Sequence, residues 1–80
     1  MDIKVGSVVF SKAGHDKGAV LLVVGVENGY AYVSDGRLRR IEKPKKKKLK
    51  HLQGTHYITD SIFEENYQVR AILSEYRKTV

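Results

Sequence analysis

The sequence predicts a mainly β fold: a small barrel of four to five antiparallel strands followed by one C-terminal α-helix. Three observations lead there. Short apolar runs succeed one another through the first two thirds of the chain, with turn signals at close spacing between them. Two of those signals, Asn28-Gly29 and Asp35-Gly36, are dipeptides that favour hairpins. After Gly54 the apolar spacing lengthens to that of a helix. Closure of the sheet into a barrel would also protect its apolar edges.

Taken in order, Val5 to Phe10 reads as a first strand, with Val8, Val9 and Phe10 apolar. The loop SKAGHDKG, residues 11–18, follows; Gly14 and Gly18 let its backbone turn. Ala19 to Val26, AVLLVVGV, is the strongest strand signal. Its two alternating sets are both apolar, as in a strand covered on both faces. Its β-branched residues and Gly25 disfavour a helix. Asn28-Gly29 predicts a type I′ turn, in which both central residues take positive φ. In Tyr30 to Ser34, Tyr30, Tyr32 and Ser34 share one face, and Ala31 and Val33 the other. Asp35-Gly36 predicts a second hairpin turn, leading into a fourth strand over Arg37–Ile41. Pro44 interrupts a ladder, so the run from Lys45 to Lys48 is expected to begin in a loop. Leu49 to Gln53 can form a short fifth strand returning to the first. The expected organisation is a barrel over residues 1–54, a linker over 55–60, and a helix over 61–78 packed on or beside the barrel. Ser61 and Glu64 have capping-box spacing. Ile62, Val69, Ile72, Leu73 and Tyr76 fall close to one helical stripe, and Arg77 and Lys78 suit the negative end of the helix dipole.

Eighty residues make one small domain, which buries only about 60% of its unfolded surface. A large buried substrate cleft is therefore not expected. With no cysteine, neither a disulfide nor a thiolate metal site can supplement the core. The sequence holds no apolar stretch long enough for a transmembrane helix, and MDIKVGSVVF lacks the pattern of a signal peptide. A cytoplasmic protein without membrane contact is expected. The formal charge is +6 and is unevenly placed: 12 Lys and Arg face 5 Asp and Glu through Gly54, but 3 face 4 beyond it. Such a basic segment is drawn to polyanions.

The glycines of the 11–18 loop raise the question of a phosphate-binding loop. A Walker loop needs G-x-x-x-x-G-K-[ST] opening a helix, and a dinucleotide fingerprint needs G-x-G-x-x-G between strand and helix. Neither spacing is present, and a strand follows Gly18. The three histidines, His15, His51 and His56, have no metal-type helical partners. The turn aspartates Asp16 and Asp35 have backbone reasons to be there. No enzyme, cofactor, metal or small-molecule substrate is expected.

The lysine run KPKKKKLK, residues 43–50, is either a solvated loop or an electrostatic clamp on phosphates. Arg37, Arg39 and Arg40 precede it closely, and their guanidinium forks suit bidentate phosphate contacts. Neutralising about five phosphates would give a log K against log salt slope of roughly −3.5 to −4.5. Tyr30 and Tyr32 can stack on unpaired bases or pack in the core.

Gly6-Ser7-Val8-Val9, then Ser11-Lys12-Ala13-Gly14-His15-Asp16-Lys17-Gly18 and the apolar strand, resemble a KOW motif, with Gly18 as its fixed glycine. Asp35-Gly36, Arg39-Arg40, Lys43-Pro44-Lys45 and Leu49-Lys50-His51-Leu52 continue the resemblance to bacterial KOW-domain RNA-binding proteins. These are similar to the KOW domain of the fourteen-e family of large-subunit ribosomal proteins. Asn66 to Leu73 resembles the short terminal helix of the bacterial members. The resemblance implies an SH3-like barrel that binds RNA, ribosomal RNA above all, or a ribosome-associated surface. It implicates Lys12, His15 and Lys17 as contacts; His15 departs from the more usual basic or small residue. The full expected RNA-binding set is Lys12, His15, Lys17, Arg37, Arg39, Arg40, Lys43, Lys45, Lys46, Lys47, Lys48, Lys50 and His51. Gly14, Gly18, Asn28, Gly29, Asp35 and Gly36 are the expected turn residues. The alternative is a protein-interaction barrel of the translation or transcription machinery, using the basic face or an apolar face of the helix.

Overall fold

The computed structural model describes residues 3–79. Five strands, β1 (Ser7–Ser11), β2 (Val20–Glu27), β3 (Tyr30–Ser34), β4 (Lys45–Lys48) and β5 (Leu52–Ile58), precede one helix, α1 (Asn66–Lys78). The strands form one antiparallel sheet in the order β4-β3-β2-β1-β5. A single 3₁₀ turn, Leu49–His51, joins the two edge strands, so the sheet curls into a small barrel-like fold.

The double alternation of β2 is used on both sides. Leu21 and Val23 join Val9, Ala31, Val33 and Leu52 inside the curled sheet. Leu22 joins Val8 on the outer face, where α1 covers them with Val69, Ile72, Leu73 and Tyr76. Two thin apolar layers thus share the central strands, which is how so short a chain buries a core. Tyr76 meets the rings of Phe10 and Tyr57 edge-on, at centroid distances of 6.2 and 5.7 Å.

Several elements differ from the sequence expectation, each for a local reason. The Asn28-Gly29 turn joins β2 to β3, but only Gly29 takes positive φ, +74°. That is the signature of a type II turn, not the type I′ turn expected. Residues 37–41 form no strand. Asp35 Oδ1 accepts from the N–H groups of Arg37 and Arg39, and Ser34 Oγ donates to the Arg39 carbonyl. Groups that a ladder would need are held by side chains instead. Asp35-Gly36 therefore opens a long loop rather than a hairpin. Gly36, at φ +75°, lies so close to α1 that a Cβ there would stand 2.6 Å from the Asn66 carbonyl oxygen.

The fourth strand is the lysine run itself. Lys45 to Lys48 pair with Val33 to Tyr30, and Pro44 stands just before the ladder, where its missing N–H costs nothing. Barrel pairing also extends beyond Gly54: β5 runs to Ile58, which pairs with Ser7, and Thr55 Oγ1 donates to the Val8 carbonyl. Residues 55–58 are strand, and the connection to the helix is 59–65. α1 begins at Asn66 rather than Ser61. Phe63 is drawn into the outer core layer, and Gln68 Oε1 reaches back to accept from the N–H groups of Glu64 and Glu65. Those contacts replace the Ser61–Glu64 cap.

Candidate nucleic-acid interface

Four segments bring charged or imidazole side chains to one open cleft of about 400 Å³, which Tyr30 of β3 also lines. The 11–18 loop supplies His15 and Asp16, the 35–44 loop supplies Arg39, β4 supplies all four lysines, and the 3₁₀ turn supplies His51. Two backbone bonds help hold the walls: the Lys12 N–H donates to the His51 carbonyl at 2.7 Å, and Leu49 N–H to that of Gly29 at 2.9 Å.

The four lysines are not equivalent, because β4 is a strand and its side chains alternate. Lys47 lies opposite Ala31 and points into the barrel, only 8% exposed. Its ammonium donates to Asp16 Oδ1 at 2.8 Å, Ser11 Oγ at 2.9 Å and the Ala13 carbonyl at 3.0 Å. All three donors are thereby used. In the structure Lys47 is a latch between β4 and the 11–18 loop, buried and with its donors taken, unlike the exposed lysines on either side of it. Gly14, beside the latch, turns the loop at φ +84°, a conformation that favours glycine. Burial pushes the Asp16 carboxyl up, but the hydrogen bonds from Lys47 and Ser11, with the Lys47 charge, outweigh it and hold the group below its ordinary value.

Lys46 faces outward. Its ammonium pairs with Glu27 at 3.1 Å and sits 4.5 Å from the centroid of the Tyr30 ring. The Glu27 bond and charge raise the Lys46 ammonium above its usual value and lower the Glu27 carboxyl. Lys46 thus covers the Tyr30 ring face expected to stack on bases. Tyr32 lies against Gly25, and its hydroxyl donates to Glu27. Among the described residues, Arg39, Lys45 and Lys48 have no carboxylate within ion-pair distance. They are the cations of the cleft that remain open to an anion.

The other expected contacts lie elsewhere. Lys12 is exposed outside the cleft lining. Lys17 lines an adjoining cleft together with His15 and Arg39. Arg40 is paired with Glu42 at 3.1 Å, and Lys43 is exposed beside them. Arg40 and Asn66 donate to Glu42 and lower its carboxyl. Lys50 borders a separate hollow near Ile3 and Gln53. Arg37 faces α1, where it shares a hollow with Arg70 and Arg77. Arg70 and Arg77 were outside the expected set. Their seven-residue spacing was the available signal, since it returns a helix to nearly the same face.

Among the described residues no group of three or more His, Asp or Glu side chains is disposed to hold a metal. Nor is any helix long and apolar enough to cross a membrane. Comparison with known proteins finds no family model that matches the chain and no curated protein that matches it.

Proposed function

We propose that this protein binds structured RNA by phosphate contacts, and that it does so as a KOW-like, SH3-like barrel of the cytoplasm, associated with ribosomal RNA. One observation carries the reading. Arg39, Lys45 and Lys48, from two segments of a strongly basic chain, border one open cleft and lack carboxylate partners among the described residues. Phosphates require such convergence of unneutralised charge. A cleft on this scale supports readout of backbone and shape rather than of successive base edges. Ion-paired Lys46 and buried Lys47 stand back from the ligand, so fewer cations act than the lysine run advertises.

The test is a salt titration of RNA affinity on the Lys45→Gln/Lys48→Gln double variant. The expected slope is shallower than wild type by about 1.4–1.8, two phosphate contacts' worth. An unchanged slope and affinity would overturn the reading.

A second reading, a protein-interaction barrel, is favoured by a specific feature of the helix side. Tyr57, Ile62, Tyr67, Ala71 and Ile72 border an apolar groove of about 220 Å³, with Ile62 and Tyr67 mostly exposed. In-cell crosslinking separates the readings: dominant recovery of RNA supports the first, and dominant recovery of one protein the second.

A further inference from the structure

A second cleft, of about 650 Å³, adjoins the cationic one, and His15 and Arg39 border both. We infer that this second cleft receives an unpaired base of the bound RNA, an inference that rests on the RNA-binding reading above. Its volume falls within the range of small-ligand sites, roughly 300–1,000 Å³. Its walls combine apolar surface from Ala19, Leu21 and Leu38 with polar groups from His15, Asp35 and Arg39.

Leu38 is the distinctive feature. It is 89% exposed, more than any other large apolar side chain of the described residues. The loop that presents it is tightly braced. Asp35 Oδ1 accepts from the N–H groups of Arg37 at 2.8 Å and Arg39 at 2.9 Å. Ser34 Oγ donates to the Arg39 carbonyl at 2.6 Å, and Arg70 Nη1 to the Gly36 carbonyl at 2.8 Å. The backbone on both sides of Leu38 is thus tied down while its side chain is held in water between two arginines. Intramolecular packing does not account for it.

The chemistry selects the occupant. A phosphate group is not selected here, because the cations Lys17 and Arg39 share the space with the carboxylates of Asp16 and Asp35, so the cleft offers an anion no unopposed charge. An unpaired base suits it: apolar faces against leucine, and planar stacking partners in an imidazole and a guanidinium. Asp35 Oδ1 already takes two backbone bonds, which leaves Oδ2 to accept from a base amino group. Leucine serves elsewhere as a wedge between base steps. Continuity with the cationic cleft gives the backbone a path: phosphates across Arg39, Lys45 and Lys48, and the extruded base beyond Arg39.

The experiment compares two RNA hairpins, one fully paired and one with a single bulged cytidine in the same stem. A third copy carries 2-aminopurine at the bulge. Wild type is expected to bind the bulged hairpin about five- to tenfold more tightly than the paired one, the scale of one stacked base. Leu38→Ala is expected to erase that preference while moving affinity for the paired hairpin less than about twofold. Fluorescence of the 2-aminopurine should change on saturation by wild type and not by Leu38→Ala. Equal binding of the two hairpins by wild type would overturn the inference while leaving the RNA-binding reading intact. Survival of the preference in Leu38→Ala would do the same. Failure to bind either hairpin would overturn the reading and the inference together.

Discussion

Replacing Lys47 by methionine keeps most of the buried stem and deletes its charge. The ammonium it removes is the donor that neutralises Asp16 and ties Ser11 and Ala13 to β4. Asp16 would keep the Ser11 hydroxyl on Oδ1 at 3.1 Å, while its Oδ2, already buried, has no partner. Removing one member of a buried pair costs about 3–5 kcal/mol. The Asp16 side chain keeps 17% exposure, so partial rehydration reduces the expected cost to about 2–4 kcal/mol. A domain of this length has roughly 4–12 kcal/mol in total. Urea unfolding followed by circular dichroism reads the change. With a slope near 1 kcal/mol per molar, the midpoint should fall by about 2–4 M, or the domain should unfold outright. Two comparisons keep the outcome interpretable. Lys46→Met, which breaks an exposed pair with Glu27, should leave the midpoint close to wild type. Asp16→Asn/Lys47→Met removes both charges and should be more stable than the two single losses added together predict, by about 1 kcal/mol or more. The latch would be refuted if Lys47→Met behaved like Lys46→Met, or if the two single losses simply added.

Acid should weaken the same latch. Asp16 titrates below its ordinary value in the fold, so its contribution is complete above the unfolded value of about 3.9 and is lost as pH falls through the folded value. Urea midpoints should therefore fall more steeply in wild type than in Asp16→Asn between about pH 5 and pH 2; parallel acid limbs would count against it. Gly36→Ala should cost about 3 kcal/mol or more, because a left-handed alanine is strained and its Cβ meets backbone that cannot yield cheaply. Gly29→Ala, at φ +74° with open space around it, should cost only about 1–2 kcal/mol; equal thermal shifts would remove the close-approach argument. Leu73→Ala, in the helix-covered layer at 2% exposure, should cost about 2–5 kcal/mol in chemical denaturation. A loss under 1 kcal/mol would mean that α1 adds little to the core.

The sequence by itself determined what depends on local pattern. The alternation of AVLLVVGV specified a strand buried on both faces, and residues 20–27 form that strand between two apolar layers. The stripe of Val69, Ile72, Leu73 and Tyr76 specified the face that α1 buries. Asn28-Gly29 marked a chain reversal, although with only Gly29 at positive φ the turn is type II rather than type I′. The tertiary structure alone decided the rest. A run of lysines carries no hydrophobic period, so only the open edge of β3 could make Lys45–Lys48 a strand. Likewise, RLRRI follows an Asp-Gly turn signal as a hairpin strand would, yet the side chains of Ser34 and Asp35 took its backbone groups first. The candidate site is a further step from local pattern. Composition located its charge, but could not tell the latch from the clamp. Lys47 meets a carboxylate 31 positions earlier, while Lys45 and Lys48 meet none. Charge is counted along a chain, but its availability depends on burial and on partners brought close in space, and those exist only once the sheet has closed.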